Sequence, residues 1–206
     1  MKNYTKIVLT GGPCGGKSSS MDYLTSQLEK RGYNVYRVPE VATLLAEGGA
    51  PHVNYKHEFE FFEIQILKLQ MALEYSFENL ASVTPHPQPT VILCDRGIYD
   101  APAYLEKDTW ENLVSNMNWN VDFLLHDRYD LVLHLVTTAI GAEEFYTTEN
   151  NEARIETPEE SAQLDKRFLQ AWSEHTNRFV FDNTNDFDYK LEEIWDVVEK
   201  YLTTKR

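Results

Sequence analysis

Residues 11–18 read Gly-Gly-Pro-Cys-Gly-Gly-Lys-Ser and fit the pattern G-x-x-x-x-G-K-[ST], which is typical of a loop that binds nucleotide phosphates. Glycines let several backbone N–H groups approach the phosphate oxygens closely, and they reach backbone conformations that other residues rarely adopt. Lys17 adds a positive charge for the β- and γ-phosphates, and the Ser18 hydroxyl is placed to bind Mg²⁺. The residues expected to contact the nucleotide here are Gly12, Pro13, Cys14, Gly15, Gly16, Lys17, Ser18 and Ser19.

The sequence on both sides of this loop fits the motif. Residues 6–10 (Lys-Ile-Val-Leu-Thr) form a short apolar run that predicts a buried strand. After the loop, apolar residues recur at helical spacing from Met21 to Leu28, and Gly32 stands where a helix would end. The order of strand, loop and helix predicts a P-loop at a helix N-terminus, which attracts anions. A glycine-rich turn that binds nothing would not require Lys17.

Strands and helices are predicted to alternate along the rest of the chain. The further strands are expected at residues 34–38, 90–95, 131–136 and 178–182. No linker, repeat or low-complexity segment interrupts the pattern, so we expect residues 1–206 to form a single α/β domain. In a doubly wound sheet of this kind, ligands bind at the carboxyl ends of the strands.

Capping residues predict where several helices begin. Asn54 is expected to cap a long helix, residues 108–111 (Asp-Thr-Trp-Glu) read as a capping box, and residues 157–160 (Thr-Pro-Glu-Glu) combine an N-cap, a proline and a capping-box glutamate. The long helix carries an apolar stripe that we interpret as core packing. Its members are Phe59, Phe62, Ile66, Leu69 and Leu73.

Composition narrows the class of protein. The 206 residues carry a net charge of −14, so most of the surface would repel DNA or RNA, and sustained nucleic-acid binding is not expected. No apolar run is long enough for a transmembrane segment or a signal peptide. The two cysteines, Cys14 and Cys94, do not form a disulfide framework, which favours reduced thiols in a cytoplasmic protein.

Polar residues that close apolar strands are the main candidates for chemistry. Asp95 ends the third strand, where it is able to hold Mg²⁺, and Arg96 beside it is able to clamp a phosphoryl group. Glu40 follows the second strand and is a candidate to orient or deprotonate an attacking hydroxyl. His134, within the fourth strand, is interpreted as a core histidine.

Residues 137–157 have no clear periodicity and are expected to form a lid. Arg154 is the basic residue of the acidic stretch from Glu143 to Glu160. An arginine in such a segment is placed as a lid arginine, which brings positive charge to the transferring phosphoryl group when the lid closes.

In these motifs and their order, the chain resembles the P-loop family that joins the ribosylnicotinamide kinase domain of a bifunctional NAD-biosynthesis protein with the nucleotide-binding domain of the TRPL translocation defect proteins. The stretches that carry the resemblance are Gly11–Ser19, Pro39-Glu40, Asp95-Arg96-Gly97 with Asp100, residues 141–146 and 154–157, and Asp182-Asn183 with Phe187 and Lys190. The Asp95-Arg96 pair is also similar to the acid–arginine pair of thymidylate and deoxynucleoside kinases. The resemblance implies a P-loop NTPase fold, with a five-stranded parallel sheet of order 2-3-1-4-5 flanked by helices, and nucleotide binding.

The sequence favours an ATP-dependent kinase that transfers the γ-phosphoryl group to a small nucleoside or nucleotide-like acceptor. Mg²⁺ and ATP would bind at the P-loop, and the acceptor would bind among the helices around residues 41–62 and 98–125. Lys17, Arg96 and Arg154 would stabilise charge. The alternative is an ATP- or GTP-binding regulatory switch with little phosphoryl transfer. A polynucleotide end kinase is disfavoured by the net charge.

The loop after the fifth strand is expected beside the P-loop, flanking the nucleobase. Asn183 and Asp186 have the i, i+3 spacing of the guanine-binding pattern N-K-x-D, but Thr184 replaces its lysine. Asp186 also stands where the last helix needs an N-cap. We therefore favour ATP, held by backbone groups, and keep GTP as the alternative.

Overall fold

A five-stranded parallel sheet forms the centre of the computed structural model, which describes residues 3–50, 56–83, 88–146 and 157–204. The strand order is β2-β3-β1-β4-β5, and each neighbouring pair is parallel. The predicted fold class is therefore confirmed. The strands are β1 (Tyr4–Thr10), β2 (Asn34–Val38), β3 (Thr90–Asp95), β4 (Leu131–Leu135) and β5 (Arg178–Phe181).

Helices pack on both faces of the sheet. They are α1 (Lys17–Lys30), α2 (Val41–Glu47), α3 (Lys56–Val83), α4 (Ala101–Tyr104), α5 (Lys107–Asn116), α6 (Pro158–Ala171) and α7 (Phe187–Thr204). Successive residues of β1 face opposite sides, so that Ile7 and Leu9 share a cluster with residues of α1 and α7, whereas Val8 belongs to a cluster that includes residues of α3. Burial on both faces explains why the central strands are almost continuously apolar.

Most predicted element boundaries agree with the structure to within two residues. The start of α5 is an exception, because the predicted capping box at residues 108–111 is wrong. The helix begins at Lys107 after Glu106, and no side chain caps it. Asp108 lies inside the first turn instead, where its negative charge suits the helix dipole. The capping box of α6 is confirmed, since Thr157 and Glu160 exchange side-chain-to-backbone hydrogen bonds of 3.2 and 2.8 Å. Asn54 lies outside the described residues.

The register of the sheet brings the candidate residues to one edge. Leu9 pairs with Asp95 and Val38 with Cys94, so the carboxyl ends of β1, β2 and β3 lie side by side. The P-loop follows β1, Glu40 follows β2, and Arg96 follows β3. Side chains separated by more than 80 residues in the sequence therefore meet above the sheet.

Candidate functional site

The P-loop packs tightly on the protein around it. Gly11 has a φ of +122°, and a Cβ atom there would lie 2.1 Å from the carbonyl oxygen of Leu135. A Cβ atom at Gly15 would lie 2.6 Å from the same oxygen. Both distances are far below van der Waals contact. These glycines are therefore required by the contact between the loop and β4, a role that the sequence interpretation, which considered only access for phosphate, did not foresee.

Lys17 lies at the first position of α1 and is 7% exposed. Its Nζ donates hydrogen bonds to the carbonyl oxygens of Gly12 at 2.7 Å and Gly11 at 3.1 Å. Ser18 and Ser19 are exposed on the next positions of the same turn. The ammonium group is thus held under the loop by backbone oxygens, and Ser18 is open to the adjacent cavity.

The cavity extends from the P-loop to α3 and has a volume of about 550 Å³. The P-loop residues from Pro13 to Ser19 form one side of it. Its other lining residues are Glu40, Val41, Ala42, Ala46, Ala50, Phe59, Phe62, Glu63, Ile66, Leu67, Gln70, Asp95, Arg96, Gly97, Asp100, Ala101, Tyr104 and Phe145. The cavity therefore has one half formed by the P-loop and a second half with apolar and aromatic walls, which we call the acceptor half.

Glu40 and Arg96 meet at the junction of the two halves. The Nε of Arg96 donates to Glu40 Oε1 at 2.9 Å, and another guanidinium nitrogen reaches the carbonyl oxygen of Gly11 at 3.3 Å. Thr43 donates a further hydrogen bond to Glu40 at 2.7 Å. Burial alone would raise the pKa of Glu40, but the charges of Arg96 and Lys17 outweigh it and lower the pKa to about 2. Glu40 is therefore ionised at neutral pH.

The backbone of Arg96 is held in an unusual conformation. Its φ is 71°, a left-handed value that is uncommon for a residue with a side chain. Its N–H donates to the carbonyl oxygen of Leu9 at 3.0 Å, and its carbonyl oxygen accepts a hydrogen bond from Gln70 at 3.2 Å. The two bonds fix the peptide on both sides and point the guanidinium at Glu40.

Asp95 is the described residue that best fits a magnesium ligand. It is buried at the end of β3, and its Oδ1 has no hydrogen-bond partner within the described ranges. Burial and the charge of Glu40 raise the pKa of Asp95 to about 6. Carboxylate and hydroxyl oxygens are the ligands that Mg²⁺ prefers, usually one or two of them together with phosphates. Asp95 and Ser18, which line the same cavity, fit that requirement.

Asp100 and Tyr104 line the acceptor half, and Asp100 is also a structural anchor. Its Oδ1 accepts hydrogen bonds from Thr10 at 2.5 Å and from the indole N–H of Trp172 at 2.7 Å. The ring of Tyr104 packs edge-on against Phe168 with centroids 5.3 Å apart. These contacts join the segment after β3 to β1 and α6.

The apolar stripe of α3 was assigned entirely to the core, and this interpretation is wrong for its N-terminal half. Phe59, Phe62 and Ile66 line the cavity, whereas Leu73 packs against the core cluster under β2 and β3. A helix that packs in a core and a helix that lines a cavity have the same periodic pattern of apolar residues, so helical spacing did not distinguish the two. Glu63 and Gln70 were also missed, because no motif marks them.

Glu63 is buried in this wall, and its titration should be visible in the stability of the protein. Burial raises the pKa of Glu63 to about 7; Arg96 opposes this shift and Asp100 adds to it. In the unfolded chain the pKa of Glu63 is 4.5, so unfolding becomes easier as the pH rises above 4.5. The stability that the protonated Glu63 contributes is present below pH 4.5 and is lost as the pH rises through 7. Glutamine does not titrate, so Glu63→Gln should not show this loss. The free energy of unfolding of the variant minus that of wild type should therefore be about 3 kcal/mol larger at pH 8 than at pH 4.5.

Urea unfolding of both proteins across this pH range measures the difference. Glu58→Gln, an exposed change on the same helix, is the matched control and should leave the pH profile unchanged. A constant difference between Glu63→Gln and wild type would contradict the raised pKa of Glu63.

Asp165 on α6 is a further residue that the sequence did not indicate. Its Oδ1 accepts hydrogen bonds from the backbone N–H of Gly12 at 2.7 Å and of Thr137 at 3.2 Å, and its Oδ2 lies 3.2 Å from His134 Nε2. All four residues are buried. His134 is a core residue, as predicted, and Asp165 ties the P-loop to β4.

Asp165→Ala should leave the N–H groups of Gly12 and Thr137 unpaired. An unsatisfied buried donor costs about 1–3 kcal/mol, so we expect a loss of about 3 kcal/mol in the free energy of unfolding and weaker ATP binding. Asp165→Asn keeps an acceptor oxygen and should lose less. Urea unfolding and calorimetric titration with ATP measure both effects. Asp22→Ala, which breaks an exposed ion pair with Arg37, is the control. Equal effects of Asp165→Ala and Asp22→Ala would refute the anchoring role.

Asn183 and Asp186 both have structural contacts. The amide nitrogen of Asn183 donates to the carbonyl oxygens of Thr137 and Ile140, each at 2.8 Å, and its oxygen accepts from Lys190 at 2.9 Å. Asp186 accepts from the N–H of Tyr189 at 2.9 Å, which confirms the predicted helix cap. The contact of Asn183 and Asp186 with a nucleobase stays a prediction.

Only the first part of the predicted lid is described. Arg154 lies outside the described residues, as do all of residues 147–156. Before this gap, the Thr137 hydroxyl donates to the carbonyl oxygen of Pro13, and Phe145 reaches the edge of the cavity. The start of the segment is therefore attached to the P-loop.

A sequence profile of the AAA domain family matches residues 6–190, a range that begins before the P-loop and ends in α7. The chain belongs to the AAA domain family. No curated protein matches the sequence. Among solved structures, this AAA domain is similar to the deoxyadenosine kinase of M. mycoides with bound dCTP. The TM-score is 0.61 at 16% identity, over 95% of this chain and 100% of the other. At that identity the likeness supports the fold, which is a P-loop kinase-like one.

The helices of this AAA domain give no sign of a membrane span. In the described part of the chain, no helix combines the length and the apolar character needed to cross a bilayer.

Proposed function

We propose that this AAA domain is an ATP-dependent small-molecule kinase that transfers the γ-phosphoryl group to the hydroxyl of a nucleoside or nucleotide-like acceptor. The observation that carries the proposal is a continuous cavity that joins the P-loop to an aromatic-walled half, with Glu40 and Arg96 at the junction. A protein that only hydrolyses or senses a nucleotide does not need a second compartment of this kind. The similarity to a deoxyadenosine kinase supports the same reaction class.

In the proposed reaction, the acceptor hydroxyl attacks the γ-phosphorus in line. A new oxygen–phosphorus bond forms, the bond to the β–γ bridging oxygen breaks, and ADP leaves. Lys17 and Arg96 stabilise the charge on the transferring group. Glu40 accepts a hydrogen bond from the hydroxyl and orients it. With a pKa of about 2 it is a weak base, so the hydroxyl proton leaves late, once the new bond has formed, and passes through Glu40 to solvent.

Ser18 and Asp95 are the residues proposed to hold Mg²⁺, which when bound neutralises charge on the β- and γ-phosphates. Arg154 is proposed to reach the phosphoryl group from the lid. The NAD-biosynthesis and TRPL families remain the finer proposal for the relationship of the chain. Cys14 and Cys94 are not joined by a disulfide, which supports a proposed location in the reducing cytoplasm.

The nucleobase of the donor is the next point to test. We propose ATP, because the two side chains that would have to bind guanine already have partners within the protein. Asn183 bonds to Thr137, Ile140 and Lys190, and Asp186 caps α7. We expect ATP to bind more tightly than GTP in wild type and in Asp186→Asn. Calorimetric titration of both proteins with both nucleotides measures this. A preference for GTP in wild type that disappears in Asp186→Asn would overturn the assignment.

The function itself is tested by incubating the protein with γ-labelled ATP, Mg²⁺ and a panel of nucleosides and nucleoside monophosphates. The proposal expects label in one acceptor or a related group. Tight nucleotide binding with slow release of labelled inorganic phosphate and no labelled acceptor would instead support the regulatory switch.

A further inference from the structure

Glu63 is a buried carboxyl group without a partner in the wall of the acceptor half. It lies in the second turn of α3, is 7% exposed and lines the cavity beside Phe59 and Phe62. Within the described ranges, no residue makes a hydrogen bond or ion pair with its side chain. An unpartnered carboxyl is costly to bury, so its presence in an aromatic wall is typical of a group that is completed by a ligand.

Other polar groups of the acceptor half have partners within the protein. Arg96 is bonded to Glu40, and Asp100 accepts from two donors through one oxygen. The amide nitrogen of Gln70 donates to Glu74 at 2.9 Å and to the carbonyl oxygen of Arg96 at 3.2 Å. These contacts shape the wall and fix its charges, whereas the Glu63 carboxyl faces the aromatic space unpaired.

The charges in the cavity also disfavour a phosphorylated acceptor. Within the described lining, the cations are Lys17 and Arg96, and both already contact backbone oxygens of the P-loop. The lining carboxyl groups are Glu40, Glu63, Asp95 and Asp100. Bound ATP would use the two cations, so a phosphate on the acceptor would face unbalanced negative charge.

We infer that the acceptor is an unphosphorylated nucleoside-type alcohol whose ring carries an amino group, and that Glu63 is the residue that selects it by accepting a hydrogen bond from that amino group. The inference rests on the proposed kinase function and names the substrate class of the same site. Phe59 and Phe62 supply apolar contacts for the ring, and Glu63 accepts the N–H. When the Glu63 carboxyl group is ionised, above its pKa of about 7, it only accepts hydrogen bonds. A ring with a carbonyl oxygen at that position would then place two acceptor oxygens against each other and would bind less well.

Two nucleoside pairs test the selection, because adenosine and inosine, and cytidine and uridine, differ by an amino group against a carbonyl oxygen. The test measures kcat/KM with γ-labelled ATP for wild type, Glu63→Gln and Glu63→Leu at about pH 8.5, where the Glu63 carboxyl group is ionised because its pKa is about 7. Wild type should prefer at least one amino nucleoside over its partner by at least about 10-fold. Glu63→Leu should lower kcat/KM for that nucleoside by about 100-fold and abolish the preference. Glu63→Gln keeps a carbonyl acceptor and should retain most of the kcat/KM for that nucleoside. Its amide nitrogen can also donate to a ring carbonyl oxygen, so its preference for the amino nucleoside should be smaller than that of wild type.

The outcomes separate this inference from the proposed function. Transfer to nucleosides without an amino preference, or a preference that survives in Glu63→Leu, overturns the role of Glu63 and leaves the kinase assignment intact. Better transfer to AMP or CMP than to adenosine or cytidine overturns the unphosphorylated acceptor. Absence of transfer to every nucleoside and nucleotide, with ATP still bound, overturns the proposed function and this inference together.

Discussion

Lys17→Ala is expected to lower phosphoryl transfer by about 1,000-fold or more, because it removes a charge that meets the β- and γ-phosphates as the bond breaks. Lys17 also has a structural role in the loop. Lys17 is buried and donates to the carbonyl oxygens of Gly11 and Gly12. The variant should therefore also lose some stability of the loop. The measurement is single-turnover transfer from labelled ATP at saturating nucleotide.

Lys30→Ala, a change at the exposed last position of the same helix, is the matched control and should retain wild-type turnover. Thermal unfolding shows that each variant is folded at the assay temperature. A folded Lys17→Ala protein with turnover near that of wild type would refute the phosphate-binding role of the loop.

Arg96→Ala should have the second large effect, a loss of about 1,000-fold in kcat with a smaller change in KM for ATP. The guanidinium bridges Glu40 and the Gly11 carbonyl at the junction of the cavity. Without the guanidinium, the charge of Lys17 is the main influence left that lowers the pKa of Glu40 against the effect of burial. The pKa should therefore rise from about 2 towards its ordinary value. The measurement is kcat and KM, determined separately across pH.

Arg96→Gly separates the role of the guanidinium in catalysis from the strain of the backbone at this position. Arg96 has a φ of 71°, and glycine adopts such values without a penalty of about 1 kcal/mol. Arg96→Gly should therefore be more stable than Arg96→Ala while losing the same activity. If both variants keep wild-type kcat, Arg96 does not act on the phosphoryl group.

The sequence predicted the parts of the site that depend on local patterns. The P-loop residues are consecutive, and Asp95 and Glu40 lie at or just after the ends of apolar strands, so strand prediction alone placed them at one edge of the sheet. The same local reasoning was wrong at Asp108, because several residues near a helix start have capping-box spacing and only the backbone path selects one.

The missed residues act through contacts that are distant in sequence. Asp165 bonds to Gly12 across 153 positions, and Gln70 reaches the Arg96 carbonyl across 26. Glu63 lies in a helix whose apolar stripe reads as core, yet the helix faces a cavity there. Which buried positions face a ligand depends on how α3 crosses the sheet, and periodicity carries no information on that crossing.

Under the proposed function, the γ-phosphoryl group leaves ATP and is attached to a second molecule in the acceptor half. The most direct test follows the fate of the γ-phosphoryl group by ³¹P NMR in one reaction that contains the protein, Mg²⁺, ATP and an amino nucleoside. We expect a phosphate-ester signal from the nucleoside that grows in step with ADP, with little inorganic phosphate, and we expect this signal to be lost in Lys17→Ala. Inorganic phosphate that grows in step with ADP, at a rate that the nucleoside does not change, would show that the protein hydrolyses ATP and is not a kinase for this acceptor.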